Sequence, residues 1–391
     1  MAETPSNSSD SRVSQGGNVA VFCGHMFNAG STAEIALKER VEDVLNRLDI
    51  AIGFGPLACG ADIVIAEALL ARGAELHVVL PFAEEDFIAE SVLSGGSEWL
   101  ERYKTCRENA ASFNLATAST YVGDDNQFAY NTLYAMGLAS LRATERGCKA
   151  VQIAVVNDEL ASLSLTGIAG TKADMRLWRA LGRESVTIPA GPVPRDLVFP
   201  ERQPVSDGTR REIRSIIFAD YKGFSRIGER ELPVFMHKVM GTIASILQNF
   251  GDHVMFRNSW GDAIYAVIDE PKIAAALALE LQAGLADIPP ELDQANAGMR
   301  IGLHYGPIWV GTDRITGNRL WYGQEVNLTA RIEPITPVGG VYCTQSFAAA
   351  LLMTDSEEFR LTSVGRQPLP KDFGDFALYR LDRGGSLQNR H

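Results

Sequence analysis

The sequence predicts two domains of different class: an α/β domain with a mostly parallel sheet, then an α+β domain whose sheet is partly antiparallel. Three observations carry this expectation. From residue 18 to 189, apolar runs of strand length alternate with stretches of helical periodicity. Pro189, Pro192, Pro194, Pro200 and Pro204 then crowd into a stretch without apolar periodicity. Beyond it, pairs of short apolar runs flank glycine-containing turns, which is the pattern of hairpins. At 391 residues, 46% of them hydrophobic, the chain can build a core in each half.

In order, residues 1–17 are polar and Ser-rich and read as a disordered tail. In the first domain, 18–190, strands are expected at 18–23, 50–54, 75–80, 150–156 and 186–189. Helices are expected at 33–48 and 61–72, with a longer helical region before residue 150. This rhythm predicts a Rossmann-like sheet with helices on both faces. Residues 191–210 read as a linker. In the second domain, 211–391, a strand at 215–219 precedes a long amphipathic helix at 231–250. A hairpin is expected from 253–258 and 263–268 around Trp260-Gly261-Asp262, followed by a helix at 272–285. A second hairpin is expected from 299–303 and 308–311 through Tyr305-Gly306-Pro307, and helix, strand and helix then lead to residue 352.

Bulk properties exclude some functions. A formal charge of −12 argues against nucleic-acid binding, which needs clustered Lys and Arg. Cys23, Cys59, Cys106, Cys148 and Cys343 are widely spaced with no CxxC pair, so neither a disulfide framework nor a zinc site is expected. The start lacks the apolar core of a signal peptide, and no uncharged apolar run approaches the roughly 20 residues of a membrane span. A cytoplasmic location without membrane attachment fits these features.

Two carboxylates stand out. Asp220 ends an apolar strand just before Gly223, and Asp262 sits at a Gly-containing hairpin tip. Acids at such positions can meet without burial in a sheet and bridge hard cations that clamp a triphosphate. Singly, each is also ordinary turn chemistry. Asn327 and Arg331 are four apart in a helical segment and share a face, suiting a ribose and a transferring phosphoryl group. Lys371 alone reads as a surface lysine.

Order and context change that balance. IIFADYKGFSRI (216–227), WGDAIYAV (260–267), MRIGLHYGPIWVG (299–311), WYGQEVNLTARIEP (321–334) and LPKDFG (369–374) resemble, in sequence order, the motifs of class III adenylate and guanylate cyclases. The resemblance implies a ferredoxin-like core and a lyase that makes a cyclic nucleotide from a nucleoside triphosphate. It implies two Mg²⁺ or Mn²⁺ ions per site on Asp220 and Asp262. Main-chain amides from Tyr221, Lys222, Gly223, Phe224 and Ser225 would hold phosphates. Asn327 would orient the ribose, Arg331 would stabilise the transition state, and Lys371 would contact the triphosphate. Family members build the site between subunits, so a homodimer is implied. At the base-reading positions this chain has Asn258 and Leu320, and Leu320 cannot hydrogen-bond a base edge. Trp260, Trp321 and Tyr322 add bulk nearby. ATP is the default expectation, and a pyrimidine triphosphate, as in antiphage cyclases making cyclic CMP or UMP, is the alternative.

In the first domain, GFGPLACGAD (53–62) sets Gly55, Gly60 and Asp62 between strand and helix, and TGIAGTKAD (166–174) repeats the idea with Gly167, Gly170 and Thr171. Such turns let amides approach a phosphate, or simply allow tight packing. Gly24 and His25, after the first strand, are further candidates for lining a pocket. Both segments resemble the SLOG superfamily of nucleotide sensors and hydrolases. The resemblance implies an unidentified small-molecule ligand and a regulatory role. The hydrolases' Gly-Gly-x-Gly-Thr turn is one Gly short here, so sensing is preferred over a hydrolase or a binding module with an inactive cyclase fold.

Overall fold

The structure is a computed structural model that describes residues 16–117, 119–157, 170–200, 210–286, 292, 297–354 and 357–384. The N-terminal part runs β1 (Asn18–Gly24), α1 (Thr32–Arg47), β2 (Ile50–Gly55), α2 (Ala61–Ala71), β3 (Glu75–Leu80) and α3 (Glu84–Phe87), which continues into a π turn at Ile88–Val92. It ends with α4 (Glu98–Glu108), β4 (Ser112–Leu115), α5 (Asn126–Arg146), β5 (Ala150–Val156), α6 (Thr171–Ala180) and β6 (Ser185–Pro189). The six strands pair in parallel in the order β4-β3-β2-β1-β5-β6. Residues 19–22 are all buried because helices cover both sheet faces, so the strand reads as an unbroken apolar run. Ser31 starts α1 by accepting a hydrogen bond from the Glu34 amide. The strand order reverses between β1 and β5, which opens a crevice at the carboxyl ends of the strands. β4 lies inside the region expected to be helical; at four residues it is too short for a periodic signal.

The C-terminal part runs β7 (Arg210–Lys222), α7 (Leu232–Phe235), a π turn at Met236–Met240, α8 (Gly241–Asn249), β8 (Val254–Trp260), β9 (Ala263–Ile268) and α9 (Pro271–Gly284). Then come β10 (Gly298–Thr312), β11 (Arg319–Tyr322), α10 (Gln324–Ile332), β12 (Val341–Thr344), α11 (Gln345–Leu352), β13 (Phe359–Leu369) and β14 (Gly374–Arg383). Strand order is β13-β14-β12-β10-β7-β9-β8, with β11 also on β10, and only β10 and β12 pair in parallel. Among the described residues, no helix is long and apolar enough to cross a membrane.

One expected hairpin is absent. Residues 299–311 do not turn at Tyr305-Gly306-Pro307; they form one continuous strand whose partner, β7, is itself far longer than the expected 215–219. Pro307 lies opposite Ile213 within this ladder. Gly306 serves space rather than a turn, since a Cβ there would lie 2.6 Å from His304 Nε2. The expected linker also packs rather than hangs. The Asp196 amide donates to Asn28 Oδ1 (2.7 Å), the Val198 amide to Ser94 O (2.9 Å), and Arg195 Nε to Met26 O (2.9 Å).

The two sheets share a core through α5. Gly137 is packed so closely on α11 that a Cβ would sit 2.4 Å from Ala349 O. Arg183 donates from Nη2 to Leu352 O (2.6 Å), closing the last turn of α11. Gly137→Val should therefore lower stability by roughly 1–3 kcal/mol through overpacking. Chemical denaturation would check it, and an unchanged midpoint would show that this joint yields.

Candidate active site

The site begins where β7 runs out. Antiparallel pairing places Arg300 of β10 directly opposite Asp220. After β7 the chain turns through Gly223, whose φ of +112° favours glycine. Two rings pin this turn: Tyr221 packs edge-on to Phe235 (5.1 Å) and Phe224 packs against the same ring (5.0 Å). Lys222 and Ser225 remain exposed. The Phe224 ring also lies under the β8–β9 turn, 3.4 Å from where a Gly261 Cβ would be, so that turn sits on the first one.

Asp262 thereby meets Asp220. The Asp262 carboxyl is pushed up to about 6, first by burial and then by the negative charge of Asp220, to which it hydrogen-bonds. Arg300 Nη2 lies 2.5 Å from Asp220 Oδ2 and 2.7 Å from Glu333 Oε1. Glu333 is itself raised to about 7 by burial, with Arg300 pulling the other way. Two carboxyls in contact must share a proton or hold a cation between them. Hard divalent cations prefer such oxygen donors, and one or two carboxylates suffice when a triphosphate supplies the remaining ligands. Asp220 and Asp262 fit that demand.

Asn327 and Arg331 project from α10 above its buried stripe of Leu328, Thr329 and Ile332. Arg331 and Glu333 are two residues apart and so leave the helix end on different sides. The side carrying Glu333 faces Arg300 and Asp220. Asn258 lies on edge strand β8 and Leu320 on β11. Trp321 is buried, with its carbonyl accepting from Tyr265 Oη at 2.9 Å, so it adds no bulk to a base pocket; Trp260 and Tyr322 are exposed. Lys371 sits at positive φ (+64°) in the exposed turn between β13 and β14.

In the N-terminal domain, Gly24, Asp62, Gly170 and Thr171 line the crevice at the strand ends, and Asp174 joins them. Gly55 and Gly60 do not. Gly55 abuts the Phe22 ring, and a Cβ on Gly60 would lie within 2.8 Å of the His25 and Phe27 backbone. Their glycines serve packing. His25 accepts the Asn157 amide on Nδ1 (2.9 Å), and burial lowers its pKa to about 4, so it acts as a neutral structural group. Gly167 lies outside the described residues.

Arg300 and Glu333 were not singled out in the sequence. Both lie within the motif segments, and the strand register that aligns Arg300 with Asp220 is the signal that identifies them.

The end of the sheet thus gathers two acids beside an arginine. Residues 209–381 match the family model described as the adenylate and guanylate cyclase catalytic domain. One relative is the pH-sensitive adenylate cyclase MT1302 of Mycobacterium tuberculosis (strain CDC 1551 / Oshkosh). It is 24% identical over 174 residues, covering 44% of this chain and 41% of that protein. The match thus spans about two fifths of the relative's length. Among solved structures, the guanylate cyclase domain of RhGC from Catenaria anguillulae with GTP is 19% identical with a TM-score of 0.39. That match covers 45% of this chain and all (100%) of that one. The guanylyl cyclase Cya2 is 21% identical with a TM-score of 0.39, covering 47% of this chain and 98% of that one.

Proposed function

We propose that residues 209–381 convert a nucleoside triphosphate to its 3′,5′-cyclic monophosphate and pyrophosphate, at a site completed by a second copy of the chain. The meeting of Asp220 with Asp262, inside a segment of the cyclase family, carries this reading. In it, these two acids hold two Mg²⁺ or Mn²⁺ ions, which when bound neutralise the triphosphate and favour the ionised ribose 3′-oxygen. Backbone amides of the 221–225 turn, fixed by its core aromatics, hold phosphate oxygens. Arg300, already beside Asp220, offers a guanidinium to the same phosphates. Asn327 orients the ribose, Arg331 stabilises charge on the transferring phosphoryl group, and Lys371 meets the triphosphate.

One observation supports a homodimer: Arg331 leaves α10 on a different side from Glu333, which faces Arg300 and Asp220 of its own chain. ATP is the default substrate, in keeping with the mycobacterial relative's name. Leu320 favours a second reading, a pyrimidine triphosphate, because it offers no hydrogen bond to a purine edge. The N-terminal domain is assigned a regulatory, ligand-sensing role.

Incubating the full chain with each of the four triphosphates and Mg²⁺ or Mn²⁺, with products identified by mass spectrometry, tests the reading. One cyclic nucleotide should dominate; turnover of none would defeat the proposal. A paired Asn258→Lys, Leu320→Asp variant should raise ATP use relative to CTP by at least about tenfold, since unpaired polar groups discriminate strongly between bases. An unchanged ratio would remove these positions from base reading.

A further inference from the structure

The crevice between β1 and β5 is a cavity of about 280 Å³. Asp62, in the first turn of α2, is only 3% exposed and takes main-chain hydrogen bonds from Ala58 and Gly24. Its Oδ1 is buried without a hydrogen-bond partner among the described residues, yet the side chain lines the cavity. Asp174, from α6, is 7% exposed and held by the Thr132 hydroxyl and the Cys23 thiol. Burial pushes the Asp174 carboxyl up to about 7 and that of Asp62 well above the usual range. A carboxyl oxygen stripped of water and left without a donor is costly, so a donor is the partner this cavity lacks.

The rest of the lining narrows the ligand. Among the described residues no Lys or Arg lines the cavity, so a phosphate would face two acids. Met26, Pro56, Phe87 and Phe128 supply an apolar wall of the kind that covers a sugar's C–H face. Carboxyl oxygens accept hydrogen bonds from hydroxyls, and ligands of α/β sheets bind in this crevice.

We propose that the crevice binds an uncharged sugar-like molecule whose vicinal hydroxyls donate to Asp62 and Asp174, and that α5 passes its occupancy to the cyclase domain. The first half stands alone; the regulatory meaning of the second rests on the cyclase reading above. Helix α5 presents Phe128, Asn131 and Thr132 to the cavity. From the same turns, Tyr130 donates to Tyr305 O of β10 at 2.7 Å, and Tyr134 donates to Gln345 Oε1 at the start of α11 at 3.1 Å. One rigid helix thus touches the ligand cavity on one side and, on the other, the strand that carries Arg300. A shift of α5 cannot be absorbed at Gly137, where it is already in contact with α11.

The test uses the full chain with methyl β-D-ribofuranoside, its 2-deoxy analogue and inorganic phosphate as probes, read by saturation-transfer NMR and hydrogen exchange. The ribofuranoside should bind at least tenfold more tightly than the deoxy analogue, and phosphate should not compete. Asp174→Asn should weaken binding at least tenfold; Thr132→Val, which removes the hydroxyl holding Asp174, should weaken it less. Equal binding of the deoxy analogue, competition by phosphate, or unaltered binding in both variants would overturn the site. Ribofuranoside should alter exchange in β10 and α11, and Tyr130→Phe should keep binding but lose the change in β10. No change in the wild-type chain, or a change that persists in Tyr130→Phe, would overturn the path. Neither readout needs turnover, so a chain without cyclase activity would refute the cyclase reading and leave this one standing.

Discussion

Replacing Asp262 by Asn should lower cyclase turnover by about a thousandfold or more while leaving the melting temperature at or slightly above that of the wild-type chain. The two halves of this expectation have different causes. In the proposed reaction turnover depends on the negative charge that two acids present to cations, and Asn keeps the shape while removing one of them. Stability does not depend on that charge: Asp262 is half-buried beside Asp220, and its raised pKa reflects first burial and then the Asp220 charge, both of which disfavour its ionised form. Asp220, by contrast, is already paired with Arg300, so the fold does not need a cation to neutralise it. Chelation with EDTA should accordingly abolish activity reversibly without unfolding the domain. Steady-state rates and thermal melts on the same preparation check both halves. Retained turnover in Asp262→Asn would remove this acid from the reaction.

Chains carrying Asp220→Asn and chains carrying Arg331→Ala should each be nearly inactive alone, yet recover about a quarter of wild-type activity when mixed and allowed to exchange. Random pairing makes half of the dimers mixed, and each mixed dimer holds one intact site out of two. The expectation follows from where α10 points its side chains. Glu333 turns toward Arg300 and Asp220 of its own chain, and Arg331 leaves on another side. If mixed dimers form, as native mass spectrometry would show, and no activity returns, the site is built within a single chain.

Most of the architecture was legible in the sequence because it is governed by local signals. The strands at 75–80 and 150–156 were expected with the bounds the structure has, since each is an apolar run closed by a turn residue or polar step. The Gly-Asp tip at 261–262 was legible for the same reason. The expectation of a turn at Tyr305-Gly306-Pro307 failed because Gly and Pro carry two meanings. They mark turns when the backbone bends, and here they sit in a strand where Gly306 makes room for His304 and Glu325. Only the full-length pairing with β7 distinguishes the two meanings. Gly55 and Gly60 repeat the lesson: glycines between strand and helix were candidates for a ligand and proved to be places where backbone and aromatic ring come too close for a Cβ.

The sequence by itself determined the order of elements, the change from a parallel to a mixed sheet, and the candidate residues Asp220, Asp262, Asn327 and Arg331. Each is written in a window of a few residues through period, turn chemistry and motif spacing. Tertiary structure alone decided that Arg300 stands between Asp220 and Glu333, that Asp62 and Asp174 share one crevice, and that α5 is packed against both that crevice and β10. These pairings join residues far apart in the chain. They depend on strand register and on which faces bury against each other, and no local pattern encodes either.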